Sequence, residues 1–215
     1  MLRMNAYDVI YKKIKEIANK YSNKLNSQFQ KRVAEMQNDD KSHHLIYRVL
    51  GIPYDVGNEI DYYQNQARFL YKYAGSFLEE VTILCFKEKY PFASKTKVKN
   101  TISNIPKTFE IDCLVNNNAY EIKWRDATTD NDHIIKEHTR VKTLRSYNYK
   151  PIRIMFYYPN RVNSMRIQET LETLYKGVGG EYYYGDSAWS YVKKTTGVDL
   201  LNILEKIAKE RENND

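Results

Sequence analysis

The sequence predicts an α/β protein built on a mixed sheet. Three observations carry this. Residues 107–125 hold two alternating apolar and polar runs separated by three asparagines, the pattern of a β-hairpin. Residues 132–147 then read as a helix leading into the apolar run IRIMFYY at 152–158, so a crossover helix and a further strand follow the hairpin. Upstream, apolar residues recur at spacings of three and four, the period of helices packed by one face.

Taken in order, Ile10, Ile14, Ile17, Tyr21, Leu25, Phe29, Val33 and Met36 predict a helix over 6–37. The polar stretch QNDDKSHH breaks it. A short helix fits 44–50, then a turn at Gly51-Ile52-Pro53, then a helix over 61–74 that ends at Gly75. Ser76 and Glu79 have capping-box spacing, so a new helix is expected to about Tyr90, where Pro91 stops it. Its apolar face is Phe77, Leu78, Val81, Leu84 and Cys85.

Lys95, Lys97 and Lys99 alternate in a strand over 94–102, and strands at 107–115 and 119–125 make the hairpin. After the strand at 152–158, Asn163 or Ser164 caps a helix to Tyr175. Glycines at 177, 179 and 180 break it, and a Tyr-rich run at 182–184 leads to helices at 187–195 and 199–211. From 76 onward the order is α-β-β-β-α-β, with added N-terminal and C-terminal helices. Residues 1–75 form a helical region expected to pack on the core at 76–215, the whole being one compact domain.

Lys plus Arg number 34 and Asp plus Glu 27, a net charge of +7, which favours a polyanionic partner. The start MLRMNAYDVIYKK has no apolar run of a signal peptide, and no apolar stretch reaches the ~18 residues of a membrane span. Cys85 and Cys113 lie in apolar runs, as buried thiols of a reducing cytoplasm do.

The chemistry gathers in the hairpin. Alternation places Phe109, Ile111, Cys113, Val115, Tyr120, Ile122 and Trp124 on one face, and Glu110, Asp112, Glu121, Lys123 and Arg125 on the other. A two-residue Asn116-Asn117 loop sets Asp112 across from Glu121; a four-residue loop sets it across from Lys123; a three-residue loop mismatches the faces without a bulge. Two carboxylates this close repel unless a cation lies between them. Oxygen donors favour a hard ion, so Mg2+ is the natural cofactor. Lys123 would orient and activate the attacking water, or stabilise the charge developing on the phosphate. The bland alternative is a solvated hairpin face with cross-strand ion pairs.

On the 76–90 helix, Glu80 flanks the apolar face and is the candidate upstream acid, while Glu79 points away as a solvated cap residue. Downstream, WRDATTDNDH leads into a helix with a predicted buried stripe of Ile134, Ile135, His138 and Val141. Lys136, Arg140 and Thr143 face the other way. Arg125, Asp126, Thr128, Thr129, His133, Lys136, Arg140 and Lys142 are the candidate DNA contacts. His133 and His138 lack the i, i+4 spacing of a zinc pair, and His43-His44 reads as incidental in a polar break.

Asp112 followed by Glu121-Ile122-Lys123 resembles the PD-(D/E)xK nuclease motif, with Ile111 in place of its variable proline. The α-β-β-β-α-β order is similar to that superfamily's core. EIKWRDATTDNDHIIKEHTRVK and YYYGDSAWSYVKKTTGVDLLNIL resemble type II restriction endonucleases of the ApaLI-like group. The resemblance implies a restriction-endonuclease-like fold and Mg2+-dependent hydrolysis of double-stranded DNA at a short palindromic site, leaving 5′-phosphates. It implies that Asp112, Glu121 and the Ile122 carbonyl hold metal, that Lys123 is the catalytic lysine, and that Glu80 is the upstream acid. A palindromic site implies a homodimer in a bacterial or archaeal cytoplasm, with a companion methyltransferase in the host. A repair, nicking or junction-resolving nuclease of the same fold and a non-catalytic DNA-binding module are the rivals.

Overall fold

The computed structural model describes residues 5–125 and 131–213. In order these form α1 (Ala6–Met36), α2 (His44–Val49), α3 (Tyr54–Lys89), β1 (Ser94–Lys99), β2 (Thr108–Val115), β3 (Asn118–Arg125), α4 (Asn131–Ser146), β4 (Lys150–Tyr157), α5 (Val162–Gly177), β5 (Glu181–Tyr184), α6 (Asp186–Thr196) and α7 (Leu200–Glu212). The chain divides into two compact units, Lys15–Phe77 and the remainder.

The Lys15–Phe77 unit is a helical hairpin. Phe29 meets Tyr62 with ring centroids 5.0 Å apart, and Tyr21 meets Tyr73 at 6.3 Å. Residue numbers rise on α1 as they fall on α3, so the two run antiparallel. Arg32 holds the closed end, donating from Nε to Asn65 at 3.2 Å and pairing with Asp39 at 2.6 Å.

α3 departs from the expected pair of helices. It starts directly after Pro53 and runs unbroken through Gly75. A mid-helix glycine costs only about 1 kcal/mol, and Ala74 before it and Leu78-Glu79-Glu80 after it are strong helix formers. Ser76 therefore caps nothing. The first turns of α3 were hidden because Tyr54, Val56 and Ile60 are exposed and mark no stripe.

The other unit is centred on a five-stranded sheet of order β1-β2-β3-β4-β5. β1, β2 and β3 are antiparallel neighbours; β3, β4 and β5 are parallel. It is thus an α/β fold on a mixed sheet. α4 and α5 make the two crossovers and pack on one face. On the opposite face Phe86 of α3 meets Tyr120 at 4.4 Å, and Trp189 of α6 meets Phe156 at 4.2 Å. Gly180 lets β5 begin: a Cβ there would lie 2.4 Å from the Pro151 carbonyl oxygen. Both cysteines are buried free thiols. Among the described residues no helix is long and apolar enough to cross a membrane.

Candidate active site

The hairpin takes the two-residue loop. Val115 pairs with Asn118, Leu114 with Ala119 and Cys113 with Tyr120, which sets Asp112 level with Glu121. Asn116 adopts the positive φ, 52°, that so short a loop needs.

Beyond Cys113 the expected face-matching fails. Ser94 of β1 pairs with Leu114 but Thr96 with Ile111, so β2 carries one extra residue there. Such a bulge reverses the alternation. Ile111, Asp112 and Cys113 are consequently all buried. Phe109 and Ile111 pack with Ala119 and with Leu144 of α4, away from Cys113. Glu110 leaves the acidic face; its carboxylate pairs with Lys95 at 2.8 Å and Lys97 at 3.9 Å.

β2 and β3 part at this bulge, and Asp112 sits in the opening. Its Oδ2 accepts from the Ile122 amide at 2.8 Å, a bond that the ladder would otherwise supply from backbone. Asp112 and Glu121 are 7% and 5% exposed. Burial, and next the charge of Glu121, push the Asp112 carboxyl up to about 7 against the pull of Lys123. Burial works against ionising Glu121 too, but Lys123, Arg140 and Arg153 overcome it and hold the carboxyl well below its usual range. Lys123 Nζ lies 2.6 Å from Glu121 Oε1. Burial disfavours its charge, yet the adjoining Glu121 prevails and keeps the ammonium protonated.

A buried ionic network lies beneath. Arg140 of α4 donates to Glu121 Oε2 and, at 2.9 Å, to the Glu110 carbonyl. Its Nε lies 3.1 Å from Glu137 Oε1. Glu137 Oε2 pairs with Arg153 of β4 at 3.3 Å and accepts from the Tyr175 hydroxyl at 3.0 Å. α4 is therefore rotated from the expected orientation. Glu137, Val141, Thr143 and Leu144 are buried, whereas Ile135 and His138 are exposed. Hydrophobic periodicity cannot find a face whose buried members are charged. Arg140 is turned inward instead of lining an outer basic surface.

Removing Arg140 leaves Glu121 and Glu137 buried without it. Such losses cost about 3–5 kcal/mol. Arg140→Ala should lower the unfolding free energy by that order in urea titrations at pH 7; a cost below about 1 kcal/mol would contradict the network.

α3 needs a further correction. Its buried stripe is Leu78, Val81, Thr82, Cys85 and Phe86, not Phe77 and Leu84. At about 100° per residue this stripe puts Glu79 at its edge and Glu80 on the far side. Glu79 adds negative charge against Asp112 and shares Lys95 with Glu110, at 2.7 Å. Glu79 is therefore the α3 carboxylate that flanks the buried stripe on the side of Lys95 and Glu110. Sequence reasoning missed it because the assumed stripe was shifted round the helix.

Of the remaining candidates, Lys136 and Lys142 are exposed on α4, His133 is half-buried, and Arg125 lies exposed at the end of β3. Asp126, Thr128 and Thr129 lie outside the described residues. A cleft of about 820 Å3 along β5 is lined by Tyr158, Tyr184, Glu172, Glu181 and Asp186 among others. It contains none of Asp112, Glu121 or Lys123, and its acids suit a polyanion poorly.

The donor set fits a hard divalent ion. Two buried carboxylates and the Ile122 carbonyl offer oxygen only, and burial beside Glu121 raises the Asp112 carboxyl, as expected where two acids share one site. Residues 4–209 match the family model of the ApaLI-like restriction endonucleases. The chain belongs to the ApaLI-like restriction endonuclease family. No curated protein and no solved structure matches it. As a member, it falls in a family of DNA-cleaving enzymes, with DNA as the substrate class, and restriction endonucleases generally use divalent metals.

Proposed function

We propose that this ApaLI-like chain is a type II restriction endonuclease that hydrolyses both strands of DNA with Mg2+, leaving 5′-phosphate and 3′-hydroxyl ends. One observation carries the reading: Asp112, Glu121 and Lys123 meet where β2 and β3 part, two buried carboxylates beside an ammonium. In this reading the nuclease core begins near residue 76 and has the restriction-endonuclease-like fold.

Asp112, Glu121 and the Ile122 carbonyl would hold the ion. Mg2+, when bound, supplies Lewis acidity toward the scissile phosphate and lowers the pKa of water. Lys123 is a cation at neutral pH, so it takes no proton from water. It orients the attacking water through its N–H groups and stabilises charge growing on the phosphate. Arg140 fixes the Glu121 carboxylate from below. Glu79 takes the upstream-acid role. Lys136, Lys142 and Arg125, all exposed, would contact phosphates in this reading. A palindromic site gives a homodimer, in a bacterial or archaeal cytoplasm that also holds a methyltransferase of like specificity.

The test is direct. Purified protein with Mg2+ should cut unmodified duplex DNA into discrete bands whose ends map to one short sequence. A smear, or nicks only, would replace this reading with a repair-type nuclease. No cleavage with Mg2+ or Mn2+ would leave a DNA-binding module.

A further inference from the structure

By sequence alone His43 and His44 are incidental residues of a polar break. The fold brings them to Asp61 instead, within the Lys15–Phe77 hairpin. His43 Nε2 and His44 Nε2 each lie 3.0 Å from the same oxygen, Asp61 Oδ2. The three ligand atoms lie within 4.8 Å of one another. We propose that His43, His44 and Asp61 form a binding site for a borderline divalent transition ion, Zn2+ foremost, at the closed end of the helical hairpin.

The donor set argues the class of ion. Two imidazole nitrogens and one carboxylate oxygen match Zn2+ and not Mg2+ or Ca2+, which take oxygen. Zinc bonds of about 2.0–2.1 Å hold tetrahedral ligand atoms about 3.3 Å apart, so the two 3.0 Å Nε2–Oδ2 separations need widen only by about 0.3 Å. A carboxylate oxygen can only accept, so Asp61 Oδ2 suits an N–H at either Nε2; coordination would exchange such protons for the ion and release them to water.

The surroundings look built for the ligands. Tyr47 donates its hydroxyl to Asp61 Oδ1 at 3.0 Å, fixing the carboxylate as an outer partner does in metal sites. His44, with a side chain 2% exposed, lies flat on Tyr47 at 5.1 Å and against the Tyr54 edge at 4.9 Å. Gly57 makes the room: a Cβ there would stand 2.9 Å from Tyr47 Cδ2 and 3.4 Å from the His44 ring. His44 Nδ1 is buried without a partner, so Nε2 is that ring's polar contact with the protein. The His43 side chain is 47% exposed, which leaves the fourth position open to water. An ion here would tie the start of α2 to α3.

The 215-residue protein, stripped with EDTA, is titrated with ZnCl2 by calorimetry, beside His43→Ala and Asp112→Asn. The Asp112 variant separates this site from the cleavage centre. Wild type and Asp112→Asn should both bind Zn2+ with micromolar or tighter affinity, and His43→Ala should lose about tenfold or more. Co2+ should give the intense visible bands of a four-coordinate ion in the first two proteins and not in the third. Circular dichroism checks that His43→Ala, altered at a half-exposed ring, is folded. Equal Zn2+ affinity in wild type and His43→Ala, or no Zn2+ binding by Asp112→Asn, overturns the proposal.

Discussion

Lys123→Ala abolishes cleavage while leaving duplex binding measurable: that is the expected result at the proposed centre. The ammonium lies against Glu121 and keeps its proton at neutral pH, so it is a fixed positive group beside the position a phosphate would take. Loss of one preorganised donor of this kind costs about 10²–10³ in rate, and a charged one at the reacting phosphate should reach the upper end or beyond. The fold should tolerate the change, because Arg140 still neutralises Glu121 from beneath. Single-turnover cleavage and a mobility-shift assay on the same duplex separate the two effects. A Lys123→Ala protein that cuts at the wild-type rate would remove this lysine from the mechanism.

Asp112→Asn should end cleavage and, without divalent ions, make the protein more stable at pH 8. The sign follows from proton binding. Unfolded, Asp112 titrates near 3.8; folded, burial and Glu121 raise it to about 7. Between these values the folded state keeps a proton that the unfolded state has released. Stability from this residue therefore falls as pH rises from about 4 to about 7, and stays at its lowest above that. Asparagine carries no charge and still offers Oδ1 to the Ile122 amide. The gain at pH 8 should be on the order of 2 kcal/mol, roughly 4–8 °C in Tm for a chain of this size. At pH 4 the two proteins should melt alike. Mg2+ should raise the Tm of the wild type and do little for the variant. A variant that melts below wild type at pH 8 would show that Asp112 is not under charge strain.

The sequence carried the hairpin clearly. Alternation marked both strands, and Asn116-Asn117 supplied a loop whose length sets Asp112 level with Glu121. Three features were hidden, each for a physical reason. The bulge in β2 leaves no mark in composition, since Ile111, Asp112 and Cys113 read as ordinary alternation. The buried face of α4 is partly ionic, so Arg140 looked like a surface cation although Glu121 and Glu137 hold it inside. On α3, burial of Thr82 and Phe86 turned the stripe toward Glu79, a rotation that hydrophobicity alone does not fix. The histidine pair was hidden because its carboxylate, Asp61, lies 17 residues from His44 on the next helix.

The bulge has a consequence for comparing this chain with distant relatives. A strand with an extra residue cannot be aligned end to end by hydrophobic position. Matching Phe109 and Ile111 to the buried sites of an unbulged strand shifts the acidic position by one, and matching the acid shifts the apolar anchors instead. Alignments of remote homologues should therefore open a one-residue gap between Ile111 and Leu114, with the acid aligned to whichever residue reaches the amide of the following strand.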